Sequence, residues 1–381
     1  MPATLPAHVN DPADPTDPAG ATDPAGVTDP AGATDPADGA DAFAPTLDAV
    51  VIGGGAAGLN GALMLARSRR SVAVVDSGTP RNAPADGVHG LLGLEGIPPA
   101  ELLRRGREEV RRYGGKVLVG EVTAAEAVPG ADPRFTVTLA DGATLRARRL
   151  LVATGLRDVL PDIPGLARHW GHDLVHCPYC HGWEVRDEPV GVLAVGPASV
   201  HHALLFRQLT DDLVYFTRGT DLDDETRTRF AARAIRVEDT PVAAVESTGS
   251  TEGSGSTASL GPTEGSGSAA GGHIAGVRLT DGRFVPRRVL AVATRMLART
   301  DGLAGLGLPM EELPGGMGRR FAATGPAGTT SVPGVWVAGN ATDLTAQVGA
   351  SAAAGALAGA HINADLAAAD TEAALAAADA P

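Results

Sequence analysis

Residues 176–181 read HCPYCH, and Cys177 and Cys180 within them are the only cysteines of a 381-residue chain. Two cysteines separated by two residues can close a small disulfide ring, and a helix starting beside them would lower a thiol pKa and make thiolate available at neutral pH. Three readings compete for such a pair: dithiol–disulfide exchange, half of a zinc site, or two inert buried thiols. His169, His172, His176 and His181 crowd the same stretch and suggest zinc. A finger-type site, however, draws its second ligand pair from a distant segment, and there is no further cysteine to supply it. The expectation is therefore a redox pair and no metal. His181, directly after the second cysteine, is placed to shuttle protons because an imidazole titrates at about pH 6.5, with a purely structural role as the alternative. The other nearby histidines read as surface or supporting residues. Pro178, Tyr179 and Trp183 read as shaping a pocket, and Trp183 is equally suited to core packing.

A second chemical feature lies upstream. Gly53, Gly55 and Gly58 make GxGxxG around Ala56 and Ala57, where the apolar run LDAVVIG meets AAGLNGALMLARSRR, which has helical spacing. The first glycine permits a tight turn, the second lets a pyrophosphate approach the backbone, and the third lets helix and strand pack closely. The helix N-terminus then faces the phosphates with its partial positive charge. Asp76 ends the next strand, SVAVVD, where a carboxylate would accept hydrogen bonds from ribose hydroxyls.

Positioning these residues takes a strand–helix–strand opening, which predicts a parallel sheet with helices on both faces. After a glycine-rich loop, PAELLRRGREEVRRYGG reads as an amphipathic helix, followed by strands in KVLVGEVTAAEAV, FTVTLADG and ATLRARRLLVATG. A second such opening appears at PVGVLAVG, the helical PASVHHALLFRQLTD and LVYFT, and VPGVWVAGNATD leads into a closing helix. Residues 1–45 hold eight aspartates and no Lys or Arg, so this tail carries -8 of the net -14 and the remainder only -6. Its DPAG and TDPA repeats cannot bury enough apolar surface to offset ordering entropy, so it is expected to be disordered. A Gly/Ser/Thr-rich stretch at 247–272 reads as a flexible insertion in a hairpin, and 369–381 as a second disordered tail. The acidic balance argues against nucleic acid, which needs a basic surface. The absence of a long apolar run or a secretory pattern points to a cytoplasmic protein with no membrane partner.

With GGGAAG, ATG at 153–155, CPYCHG and AGNATD in that order, the sequence resembles the low-molecular-weight thioredoxin reductase family of flavoproteins over residues 46–368. The resemblance implies an α/β fold of two Rossmann-like dinucleotide-binding domains of three-layer ββα type, the second inserted into the first. An FAD domain would comprise 46–163 and 289–368, with a central NAD(P)-binding-like domain at 164–288 carrying the cysteines. It implies FAD contacts from Gly53, Gly55, Ala56, Ala57, Gly58, Asp76, Ser77, Arg81, Asn82, His89, Val122, Ala153, Thr154, Gly155, Gly339, Asn340, Ala346, Gln347 and Val348. It also implies a homodimer, a flavin-facing Cys180 and a substrate-exchanging Cys177.

Departures from the reductase pattern carry as much information. The GGGxxA turn for NADPH is replaced by VGPASVHHA, with Pro197 after Gly196, and the His-Arg-Arg cluster is replaced by YFTRG, with Arg218 alone. One arginine is a poor clamp for a dianion. The acidic residue after the second cysteine is His181, and the usual AGD is Ala338, Gly339, Asn340. These changes make the chain similar to the dithiol oxidase branch, which closes disulfides in natural products such as gliotoxin and holomycin using oxygen. The leading expectation is oxidation of a small-molecule dithiol. The alternatives are NAD(P)H-driven reduction of thioredoxin or a small disulfide, with NADPH the weaker cofactor expectation, and a non-catalytic redox sensor.

Overall fold

The run LDAVVI forms a strand, β1 (Leu47–Ile52), followed by α1 (Ala56–Arg67) and β2 (Val72–Asp76), which lies parallel to β1 as the opening predicts. The computed structural model describes residues 46–128, 130, 134–248 and 272–379; the acidic tail and nearly all of the Gly/Ser-rich insertion lie outside the described residues. Helix α2 (Pro99–Arg112) buries Leu103 and Val110, while Glu101, Arg104 and Glu108 pair in water on its opposite face. Strand β3 (Lys116–Val119) then pairs parallel with β2. Next, β4 (Val122–Ala127), β5 (Phe135–Leu139) and β6 (Thr144–Val152) run as an antiparallel meander whose last strand turns in beside β1. Strand β7 (Leu156–Val159) leaves this body.

The chain then builds a second sheet. Its elements are β8 (Leu174–Val175), α3 (Pro178–His181), β9 (Val190–Leu193), α4 (Ala198–Phe206), β10 (Leu213–Phe216), α5 (Asp224–Ala232) and β11 (Arg236–Glu238). An antiparallel ribbon follows, β12 (Val242–Ser247), β13 (Ile274–Leu279) and β14 (Phe284–Pro286), and then β15 (Val289–Val292). The parallel strands lie in the order β11-β10-β9-β15-β8. VGVL, LVYF and VLAV are buried at every position, as strands covered on both faces must be.

Strand β16 (Arg295–Ala298) returns antiparallel to β7, with Arg295 opposite Val159 and Ala298 opposite Leu156. It is joined by β18 (Gly318–Phe321) and, beyond it, β17 (Met310–Leu313). Strand β19 (Val335–Val337) then pairs with β6, so the last part of the chain completes the first sheet. The fold is thus the expected α/β arrangement of two dinucleotide-binding units, one nested in the other.

The closing helix, α6 (Val348–Ala378), crosses α1 at backbone contact distance. A Cβ added at Gly355 would lie 1.9 Å from the Ala57 carbonyl oxygen, and Asn60 donates to the Ala352 carbonyl at 2.8 Å. One expectation is corrected here, because α6 runs ten residues into the segment read as a tail, from 369 to 378. Its alanines are the best helix formers. Asp370 also anchors it to the body through Arg70 and Arg148, each at 2.6 Å. Among the described residues no helix is long and apolar enough to cross a membrane.

Candidate active site

Where β1 meets α1, Gly53 takes a φ of +104°, and a Cβ there would come within 2.3 Å of the Ala153 carbonyl oxygen. One turn later a Cβ at Gly58 would stand 1.8 Å from the Gly53 carbonyl, so neither position tolerates a side chain. At Gly55 the same test meets nothing within 4 Å, which leaves the first turn of α1 open to a ligand. No side chain caps that helix, so its leading N–H groups are available to an anion. Asp76 reaches the turn from the end of β2 and accepts from Arg107 at 3.0 Å.

This turn forms one side of a cavity of about 540 Å³. Every cofactor contact expected from the sequence lines it except Gly58, which lies beneath the turn as packing. Val122 comes from β4, and Ala153, Thr154 and Gly155 follow β6. Gly339 has a φ of +67° in the loop after β19. Asn340 ties that loop to the start of α6 by donating to the Asp343 and Ala346 carbonyls, both at 2.9 Å.

Cys177 and Cys180 line the same cavity from the second sheet, closed as a disulfide with Cα atoms 5.2 Å apart. Cys177 caps the single turn α3, with Pro178 preset for its first position and the Cys180 and His181 amides both donating to the Cys177 carbonyl at 3.2 Å. The turn places both cysteines on the cavity and turns Tyr179 outward, with Trp183 beyond it. Tyr179 is 66% and Trp183 67% exposed, the latter beneath the Arg186 guanidinium at 4.2 Å. Neither these two nor Pro178 lines the cavity, and Trp183 is not core; the pocket-shaping reading of all three is corrected.

His181 also lines the cavity, and neither of its buried ring nitrogens has a hydrogen-bond partner. Burial lowers its pKa against the opposing pull of Glu184, so it is a neutral base at pH 7. His176, read as a supporting residue, proves to line the cavity. Its Nδ1 donates to the Val292 carbonyl at 2.9 Å, and burial keeps it neutral. Thr294 beside it donates to Asp158 at 2.5 Å, and Arg81 clamps that carboxylate at 2.6 and 2.7 Å. Burial would raise the Asp158 pKa, but Arg81 and Thr294 more than offset it and hold it below the ordinary range. His202, on α4, donates to the carbonyl of His176, and burial pushes its pKa down to about 4. His169 is buried against Ser247 and His172 is exposed, so the four histidines of the motif diverge. Among the described residues no three His, Cys, Asp or Glu side chains converge on a metal position.

The second sheet's own strand–helix turn is arranged differently. Pro197 precedes α4, Ser199 accepts the Val195 amide at 3.0 Å, and the Arg218 guanidinium folds back to donate to the Ala194 carbonyl at 2.9 Å. Sequence reasoning missed Trp170, Gly171, Leu174, Arg299 and Asp301, which also line the main cavity. They carry no motif and arrive there through the β7–β16 pairing and the path into β8. Gly54 had a signal in the GGG run, since a Cβ there would meet the Asp76 side chain at 2.7 Å.

A strand–helix cradle and a disulfide sharing one cavity define a dinucleotide-dependent thiol–disulfide oxidoreductase. Residues 47–359 match the pyridine nucleotide-disulphide oxidoreductase family, and the chain belongs to it: a flavoprotein oxidoreductase acting on sulfur groups. Among curated relatives, thioredoxin reductase tcpT of Claviceps purpurea (strain 20.1) is 34% identical over 303 residues, covering 77% of this chain and 86% of that protein. Thioredoxin reductase sirT of Leptosphaeria maculans is 30% identical over 328 residues, covering 83% and 93%. The crystal structure of HlmI is 43% identical with a TM-score of 0.76, covering 87% of this chain and 96% of that one. An oxidoreductase from Agrobacterium tumefaciens is 31% identical with a TM-score of 0.72, covering 84% and 99%.

Proposed function

We propose that this protein is an FAD-dependent oxidase that closes the disulfide of a small-molecule dithiol with dioxygen as the final acceptor. The observation carrying this reading is the contrast between the two nucleotide turns. The first opens into the cavity holding the disulfide, with space at Gly55 and the unpartnered His181 imidazole. The second has Pro197 at its helix start and an Arg218 that is engaged by the Ala194 carbonyl at the end of the neighbouring strand β9.

The residues fit FAD. The Gly53–Ala57 turn and α1 would hold its pyrophosphate, Asp76 its ribose, and Gly339, Asn340 and the start of α6 the ribityl and ring end. When bound, FAD would supply a two-electron acceptor for the enzyme dithiol and a route for those electrons to dioxygen. A substrate thiolate attacks Cys177 and breaks the Cys177–Cys180 bond; the substrate's second thiol then attacks the mixed disulfide, releasing product and leaving both enzyme cysteines reduced. Cys180 is assigned to the FAD side and Cys177 to exchange. His181 accepts a sulfur-bound proton.

The names of the relatives tcpT and sirT favour a second reading, NAD(P)H-driven disulfide reduction. Anaerobic stopped-flow mixing of the purified protein with dithiothreitol, NADPH and NADH separates the two. Bleaching of flavin absorbance by the dithiol alone, and rapid recovery in air, is the expected result. Fast bleaching by a nicotinamide overturns the oxidase reading in favour of the reductase.

A further inference from the structure

His89 sits between two carboxylates from different parts of the chain. Its Nδ1 lies 2.7 Å from Glu95 Oε1, and its Nε2 lies 3.5 Å from Glu184 Oε1. Glu95 is fixed by its other oxygen, which accepts the Gly90 amide at 2.8 Å, yet its side chain is 64% exposed to water. Glu184 follows His181 by three residues and Cys180 by four. His89 and His181 line the same cavity as the disulfide.

We infer that Glu184, His89 and Glu95 form a proton relay connecting His181 to solvent. The closer of the two contacts fixes one ring nitrogen of His89 as a donor. The 2.7 Å contact to Glu95 requires Nδ1 to donate, and Nε2, at a looser 3.5 Å from Glu184, is the nitrogen at which a proton is taken up from that side. No hydrogen bond anchors the His181 ring, which lines the cavity with both cysteines, three residues ahead of Glu184. The charged and titratable groups acting on it are Glu184, His89, His176 and Arg81, and Arg81 is already neutralised by Asp158. Glu184 is therefore the carboxylate that draws a proton off His181.

Proton bookkeeping gives such a path its use. Converting a dithiol to a disulfide removes two electrons and two protons, and dioxygen consumes both pairs to give hydrogen peroxide. Electrons and protons leave sulfur in one half-reaction and are consumed in the other, and a relay to solvent lets His181 return to its neutral form between them. The proton passes to Glu184, from there to Nε2 of His89, while Nδ1 gives its proton to Glu95 and Glu95 gives one to water. Every group is restored once His89 returns to its starting tautomer. The inference rests on thiol–disulfide chemistry and holds for either direction of electron flow under the proposed function.

The test uses full-length, FAD-loaded protein with Glu184→Gln and Glu95→Gln. Anaerobic mixing with dithiothreitol, and separately with NADPH, is followed by flavin absorbance and by a pH indicator in weak buffer. Glu184→Gln should retain its flavin and its disulfide, slow flavin reduction and proton release together by about tenfold or more, and raise the solvent deuterium isotope effect. Added formate or imidazole should restore its rate. Glu95→Gln should show a smaller loss with the same rescue. A Glu184→Gln protein as fast as wild type at all pH values, or slow but not rescued, overturns the relay. Whichever donor reduces the wild type decides the proposed function, while the ratio of variant to wild type in the thiol–disulfide step, read with dithiothreitol or, for a nicotinamide-reduced protein, by turnover of a disulfide acceptor, decides the relay; a wild type reduced by neither donor overturns both.

Discussion

A buried imidazole with no hydrogen-bond partner shares the cavity with the disulfide, and under the proposed function the pH dependence of the protein should carry its mark. His181 has its pKa lowered by burial, so the active basic form persists below the usual histidine range and is lost only as pH falls through that depressed value. His181→Gln should reduce the rate of dithiol-driven flavin bleaching about a hundredfold and remove this acidic limb. His202 makes a separate prediction about stability. Its folded pKa of about 4 lies below the unfolded value of about 6.5, so the unfolded chain binds the proton first. The stability this gives is complete above pH 6.5 and is lost as pH falls toward 4, amounting to about 3 kcal/mol. Thermal melts across this interval should show that loss, and His202→Gln should flatten it. At this scale the sequence was legible wherever chemistry and local spacing coincide, as at Cys177, Cys180 and the Gly53 turn. Glu184, Asp158 and Arg299 were not, because their partners lie 77 to 220 residues away or across a sheet boundary.

Among the elements, the α1–α6 crossing joins packing to the site. Gly355 lies against the Ala57 carbonyl, and Ala57 belongs to the open first turn of α1 that lines the cavity. Gly355→Val should therefore push the two helices apart, cost about 2 kcal/mol or more, and lower flavin content as well as melting temperature. A variant that loses stability yet keeps full flavin would separate the crossing from the cradle. The strand–helix–strand openings were readable from apolar runs and helical spacing, since those periods are imposed by the elements themselves. The continuation of α6 to Ala378 was not, because alanine-rich composition serves a helix and a tail equally well until Asp370 finds Arg70 and Arg148.

For the whole molecule, the nested order and its boundaries were legible through the resemblance to a known family, but the strand pair at which the units join was not. That junction is the β7–β16 pair, whose residues Val159 and Arg295 face one another directly. In gene terms, the second sheet is a detachable loop: deleting the codons for 160–294 and joining the ends with Asn-Gly would turn β7 and β16 into a hairpin. The first sheet would lose none of its own strand pairs, since β19 still reaches β6. The shortened protein should keep the circular dichroism of a mixed α/β fold and bind FAD, yet leave dithiothreitol untouched, a flavin holder without a sulfur partner.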